Sequence, residues 1–213
     1  MATVNLLPNA DVSNDWTLGP AGSAGDVFEM INEDSTGTAV FDASRLYTTS
    51  AGDEFKVEFT DFTEAHSSID SIQVVLRTAV NSRGATYVMK ASLHNETTPT
   101  AVYYSENSST QTGSATYKTI NYTSRTTSDG SAAWTNSQLN NIRLLVEADF
   151  ISIGTCHCTY AYIIVTYTEP TATDNAIFFG TNFWDLYMSR KFNIFKSRIL
   201  KEKESYELTI FNI

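Results

Sequence analysis

A chain of 213 residues, 42% of them apolar, can fill one good-sized core, or one core and an arm. Its net charge of −10 excludes nucleic acid as the main partner, because phosphate contacts need clustered Lys and Arg. No apolar run approaches the ~20 residues of a membrane span, so no membrane partner is expected.

The opening Met1-Ala-Thr-Val-Asn-Leu-Leu-Pro has neither the charged nor the apolar region of a secretory leader, so folding in a cytosol is expected. Charged residues are sparse at 18%, and Ser, Thr and Asn supply the polar surface, a chemistry typical of extracellular or particle-borne β proteins. A virion component assembled in a host cytoplasm satisfies both expectations.

Short alternating runs predict strands at 26–31, 39–46, 54–59, 71–78, 86–93, 101–104, 116–122, 141–148 and 157–167. Turn-forming stretches separate them: 19–25 (Gly-Pro-Ala-Gly-Ser-Ala-Gly), 50–53, 81–84 and 127–131. This spacing, without a sustained helical period, predicts an all-β antiparallel sandwich, jelly-roll-like, over residues 1–170. Thr135-Asn-Ser-Gln-Leu-Asn-Asn follows Trp134 with good capping residues and predicts a single helical turn. Trp16 and Trp134 are expected to close opposite ends or edges of the core.

Composition shifts after Pro170. Residues 1–170 carry 8 Lys+Arg against 19 Asp+Glu, and residues 171–213 carry 6 against 5. Residues 171–175 read as a hinge and 176–213 as an arm, either extra strands on the same sandwich or an extension that pairs with a neighbouring subunit. Within the arm Arg190, Lys191, Phe192, Ile194 and Arg198 are the candidate contact residues.

The chain's two cysteines flank a histidine in Cys156-His-Cys158. In a strand the two thiols share a face and His157 takes the other, so the trio cannot close on one ion. A structural zinc needs four N or S ligands, and an i, i+2 disulfide is strained. The stretch reads as a strand end, with no metal and no cofactor implied. Uniform alternation would put Tyr160, Tyr162 and Ile164 on the side of the thiols.

Gly-x-Ser-x-Gly, Walker A, His-Glu-x-x-His and dinucleotide motifs are missing from the sequence. His66 beside Glu64, and His94 beside Glu96, read as surface pairs. Acid groups such as Glu33-Asp34, Asp53-Glu54 and Glu58 with Asp61 read as a solvated rim, with no spacing that selects a glycosidase pair or a calcium site. No enzyme is expected. Asn95-Glu-Thr, Asn107-Ser-Ser and Asn121-Tyr-Thr match the glycosylation pattern, as chance allows in so Asn-, Ser- and Thr-rich a chain.

The segment Asp129-Gly-Ser-Ala-Ala-Trp-Thr-Asn-Ser-Gln-Leu-Asn-Asn-Ile, then 143–148, Gly154 and Thr159-Tyr-Ala-Tyr-Ile-Ile-Val-Thr-Tyr, resembles tailed-bacteriophage virion proteins of β-sandwich or jelly-roll type. Phe59-Thr-Asp-Phe62, 69–77 and Val12-Ser-Asn-Asp-Trp16 fit the same pattern. The resemblance spans roughly residues 10–168 and implies a structural role in the virion: a capsid decoration (cement) protein bound to the major capsid protein, or a fibre component. Self-association as a homotrimer would match local threefold sites of a shell. The alternative is a glycan-binding module, a host-recognition tip, with Tyr103, Tyr104 and Tyr122 as candidate platforms. A polysaccharide-degrading enzyme is a third reading and would need paired carboxylates in a groove.

Overall fold

The computed structural model describes residues 1–19, 26–31, 45–95, 98–113, 117–128, 130 and 132–170. The expected hinge and arm, 171–213, lie outside the described residues, as do Glu33, Asp34 and Glu96.

Among the described residues twelve strands and two short helices follow one another as β1 (Ala2–Leu6), β2 (Pro8–Asn14), β3 (Thr17–Gly19), α1 (Val27–Ile31), β4 (Arg45–Thr48), β5 (Glu54–Phe59), β6 (Ser68–Val80), β7 (Thr86–Asn95), β8 (Thr98–Asn107), β9 (Gln111–Thr112), β10 (Lys118–Asn121), α2 (Asn136–Leu139), β11 (Ile142–Ile151) and β12 (Cys156–Thr168). They form two antiparallel sheets. The first runs β10-β6-β12-β4-β3, with β1 also on β12; the second runs β2-β5-β11-β7-β8, with β9 on β7. The fold is an all-β sandwich.

Period-two patterning explains the layers. In β5 Phe55, Val57 and Phe59 are buried while Glu54, Lys56 and Glu58 alternate with them at the surface. Facing them across the core stand Ile72, Val74 and Leu76 of β6 and Ile163 and Val165 of β12, all fully buried. Each such side chain contributes about 1.5–3 kcal/mol on burial.

The N-terminal run serves both layers. β1 pairs with β12 in the first sheet, the chain turns at Leu7, and β2 pairs with β5 in the second. Leu7 and Thr60 hold this corner: the Thr60 N–H donates to the Leu7 carbonyl at 2.9 Å. The opposite edge is stitched by Glu106 of β8, which accepts from the Thr123 hydroxyl at 2.8 Å and from Arg125 at 3.0 Å.

Several expectations need correction. Residues 27–31 are a helix, because the Asp11 carboxylate accepts from the Val27 and Phe28 N–H groups at 2.6 and 2.7 Å and caps a first turn. Strict alternation also fails in β12. The register shifts between Cys158 and Tyr160, which sends Tyr160 and Tyr162 to the face opposite the thiols, while Ala161 and Ile163 stay in the core. Strands β1, β2 and β3 were not among those expected.

Other expectations hold. α2 forms the expected single turn, and Thr135 and Gln138 exchange bonds as a capping box at its start. Trp16 sits edge-on to Phe55 at 5.3 Å, where β5 begins and β11 ends, and its indole donates to the Asp53 carbonyl. Trp134 sits edge-on to Tyr103 beside the start of β11, donating to the Arg125 carbonyl. The two indoles close opposite ends.

Candidate functional site

Cys156 and Cys158 point into the core, and the Cys156 Sγ lies 3.6 Å from the Met89 Sδ. Burial pushes the Cys156 thiol up to about 12 and raises Cys158 as well, so both remain protonated and poor nucleophiles. His157 takes the other face of the sheet, its ring 6.1 Å from that of Tyr47. Burial first, then the charge of Arg45, lowers its pKa to about 4. Cys-His-Cys is a strand end, and among the described residues no three of His, Cys, Asp and Glu gather to hold a metal.

The outer face of the first sheet is half-exposed at Gln73, Tyr162, Ile164 and Thr166 and buried at its other end. Val75, Ala79, His157, Thr159 and Tyr160 are at most 5% exposed there. Arg77 is held among them with its Cζ 5.4 Å from the Tyr117 ring centre and 5.7 Å from that of Tyr160.

The outer face of the second sheet is half-exposed at Glu54, Lys56, Glu58, Lys90 and His94 and buried at Ser92, Arg143 and Leu145, and its register arranges these side chains in rows across β5, β11, β7 and β8. One row holds Glu54, Glu147, Lys90 and Asn107. The next holds Lys56, Leu145, Ser92 and Ser105, and the third Glu58, Arg143, His94 and Val102. Bonds tie the rows sideways: Lys90 Nζ to Glu147 at 2.8 Å, Ser92 to Ser105 at 2.7 Å, and Arg143 to Glu58. Glu147 accepts a hydrogen bond from Lys90 and raises its pKa, so the ammonium is firmly charged.

At one end of this face β11 carries a bulge between Glu147 and Phe150. Its cause is local. Ala148 keeps its methyl buried and both backbone groups bonded to the 52–53 turn, donating to Asp53 and accepting from Gly52. The extra residue, Asp149, accepts from the Asn107 amide at 3.0 Å. Phe150, opposite Val88, is thereby turned onto the outer face and is 45% exposed. An aromatic ring thus borders a row of two carboxylates, an ammonium and an amide, with a third carboxylate at the bulge. From Val88 to His94 the face extends about 20 Å along β7 at ~3.3 Å per residue.

The aromatic residues expected from sequence to meet a glycan lie elsewhere. Tyr122 is buried with its hydroxyl on the Met89 carbonyl. Tyr104 packs under Arg125, and Tyr103 against Trp134. Phe150 escaped notice because the expected strand stopped at residue 148, although Glu147-Ala-Asp-Phe breaks alternation there. His66 is a surface residue, its Nδ1 2.8 Å from the Glu64 carbonyl. Arg190, Lys191, Phe192, Ile194 and Arg198 lie outside the described residues.

No family model and no curated protein matches the chain. Solved structures resemble it at low identity. A truncated AlyQ with CBM32 and alginate lyase domains has TM-score 0.39 and 13% identity over 79% of this chain, which spans about a third (35%) of that one. A CBM4 structure has TM-score 0.39 and 11% identity over 74% of this chain and 96% of its own. The xylan-binding module CBM15 has TM-score 0.37 and 13% identity over 79% of this chain and 100% of its own. Likeness at this level carries no argument about ligand or activity.

Proposed function

We propose that this protein is a non-enzymatic glycan-binding β-sandwich, with the outer face of the second sheet as its binding surface. The observation that carries the reading is Phe150, an aromatic ring 45% exposed at the edge of a cross-bonded polar row. A flat apolar ring covers the C–H face of a pyranose, and carboxylates and amides of fixed orientation meet its hydroxyls. The lateral bonds Lys90–Glu147 and Asn107–Asp149 hold those groups in place before any sugar arrives, which lowers the entropy lost on binding.

The acids support binding rather than hydrolysis. Glycosidases place a carboxyl group on each side of the scissile bond, in a site that holds the sugar between them. Here Glu54 and Glu147 stand side by side on one sheet face, with Glu147 committed to Lys90. Asp11, Glu58 and Glu106 are bound up in a helix cap and two ion pairs. The resemblance of residues 10–168 to tailed-phage virion proteins would make such a module a host-recognition component of a particle.

A glycan panel with the full chain and Phe150→Ala tests the reading. The wild type is expected to retain a subset of glycans, and the variant to lose them more than tenfold at an unchanged melting temperature. Binding that ignores Phe150 would overturn it.

A further inference from the structure

Among the described residues β1, β2, β3, β8, β9 and β10 lie at sheet edges. An edge strand offers a row of unpaired N–H and C=O groups to any other strand, and folds blunt such edges with proline, charge, bulges or brevity. All of these edges but one are blunted. β2 begins at Pro8, carries Asp11 and shifts register twice against β5. β8 contains Pro99, and its Glu106 is bonded to Arg125. β10 has 4 residues and starts with Lys118, while β3 and β9 have 3 and 2.

β1 is the exception. Its 5 residues, Ala-Thr-Val-Asn-Leu, hold no charge, proline or glycine, and its register against β12 runs without a bulge. Pairing with β12 uses one side of the strand, so alternate N–H and C=O groups face away from it. The core-facing side chains agree: Leu6 is 2% exposed, but Ala2 and Val4 are only partly buried at the rim of the core. We propose that β1 pairs antiparallel with β1 of a second copy of this chain, joining the two first sheets across a twofold axis at Val4. Centred there, Ala2 meets Leu6, Thr3 meets Asn5 and Val4 meets its counterpart. Apolar then lies against apolar on the core side and polar against polar on the outer side, and this self-match selects a copy of the chain as the occupant. In a chain of net charge −10, an uncharged strand also lets two copies meet without setting like charges opposite each other.

Five paired residues bury less than the ~1,200 Å² of a stable interface, so the dimer is weak, and sedimentation of the full chain from about 10 to about 500 μM should show it growing with concentration. Thr3→Glu with Asn5→Glu sets carboxylates opposite carboxylates and is expected to weaken association about tenfold. Both side chains are exposed, so the melting temperature of the dilute chain should not change. Thr3→Lys with Asn5→Glu is expected to restore association, because the twofold axis sets each ammonium opposite a carboxylate. Val4→Cys should give a disulfide-linked dimer on oxidation and Thr3→Cys should not, since Cys156 and Cys158 are buried and only position 4 faces itself. A chain that stays monomeric throughout overturns the inference. So does a dimer that ignores both charge variants and is not trapped through Val4→Cys, which would place the contact elsewhere, residues 171–213 included.

Discussion

Thr78 and Tyr87 join the two sheets through the core: their hydroxyls lie 3.0 Å apart between β6 and β7, with both residues at most 1% exposed. Burial pushes the Tyr87 phenol up to about 12, so the pair is neutral at any ordinary pH. Removing one hydroxyl strands the other without water. Tyr87→Phe is therefore expected to cost about 1–3 kcal/mol, and Thr78→Val on that background to recover part of the loss. Chemical denaturation of the two single variants and the double variant reads the coupling. A double variant whose loss is the plain sum would show that the hydroxyls do not act together.

The sulfur cluster makes a second prediction. With Cys156 and Cys158 buried against Met89 and held as thiols, the folded protein should not react with a thiol reagent, and should react twice once denatured. Chelators should leave the melting temperature unchanged, since His157 faces away from both sulfurs. Rapid labelling of the folded chain would show that the upper end of β12 opens readily.

These interior relationships were only partly legible in the sequence. The alternation of β5 and the turn residues around β7 and β11 gave the sheets, because burial on one face imposes a period of two wherever a strand is regular. The pattern loses its meaning where regularity stops. The register change after Cys158 reverses which side Tyr160 and Tyr162 take, and the bulge after Glu147 turns Phe150 outward. A bulge depends on what its backbone groups bond, here Ala148 with the 52–53 turn, and those partners lie far away in the chain. The candidate site sits at such a break, and its row joins four strands whose order no local signal records.

Helix α1 carries the same lesson and its own test. Val27-Phe-Glu-Met-Ile reads equally well as a strand, and what selects the helix is Asp11, sixteen residues earlier, accepting from two N–H groups of the first turn. Asp11→Ala is expected to cost about 1–2 kcal/mol, with Asp11→Asn closer to wild type because one acceptor oxygen remains. Val27 and Ile31 are core residues, so loss of the cap should loosen the sandwich itself. Hydrogen exchange confined to 26–31, with unchanged global stability, would count against that linkage.

The pH dependence of stability follows from His157. Its folded pKa of about 4 lies below the ordinary histidine value of 6.5, first because the ring is buried and second because Arg45 is near. The fold therefore favours the neutral ring, and the unfolded chain binds the proton first as pH falls. Stability from this residue is complete above about pH 6.5, declines from there toward pH 4, and levels off below. A tenfold change in proton affinity is worth about 1.36 kcal/mol, so the decline amounts to roughly 3 kcal/mol at most. Asp70 acts in a lower window: hydrogen bonds from Thr168 and Ser68 depress its pKa, so its contribution is lost only as pH falls through that depressed value. Urea unfolding at about pH 7.5, 4.5 and 2.5 separates the two, and His157→Gln should flatten the curve between the first two points while leaving the limb between the last two in place. An equally steep slope in the variant would assign the acid sensitivity to groups other than this ring.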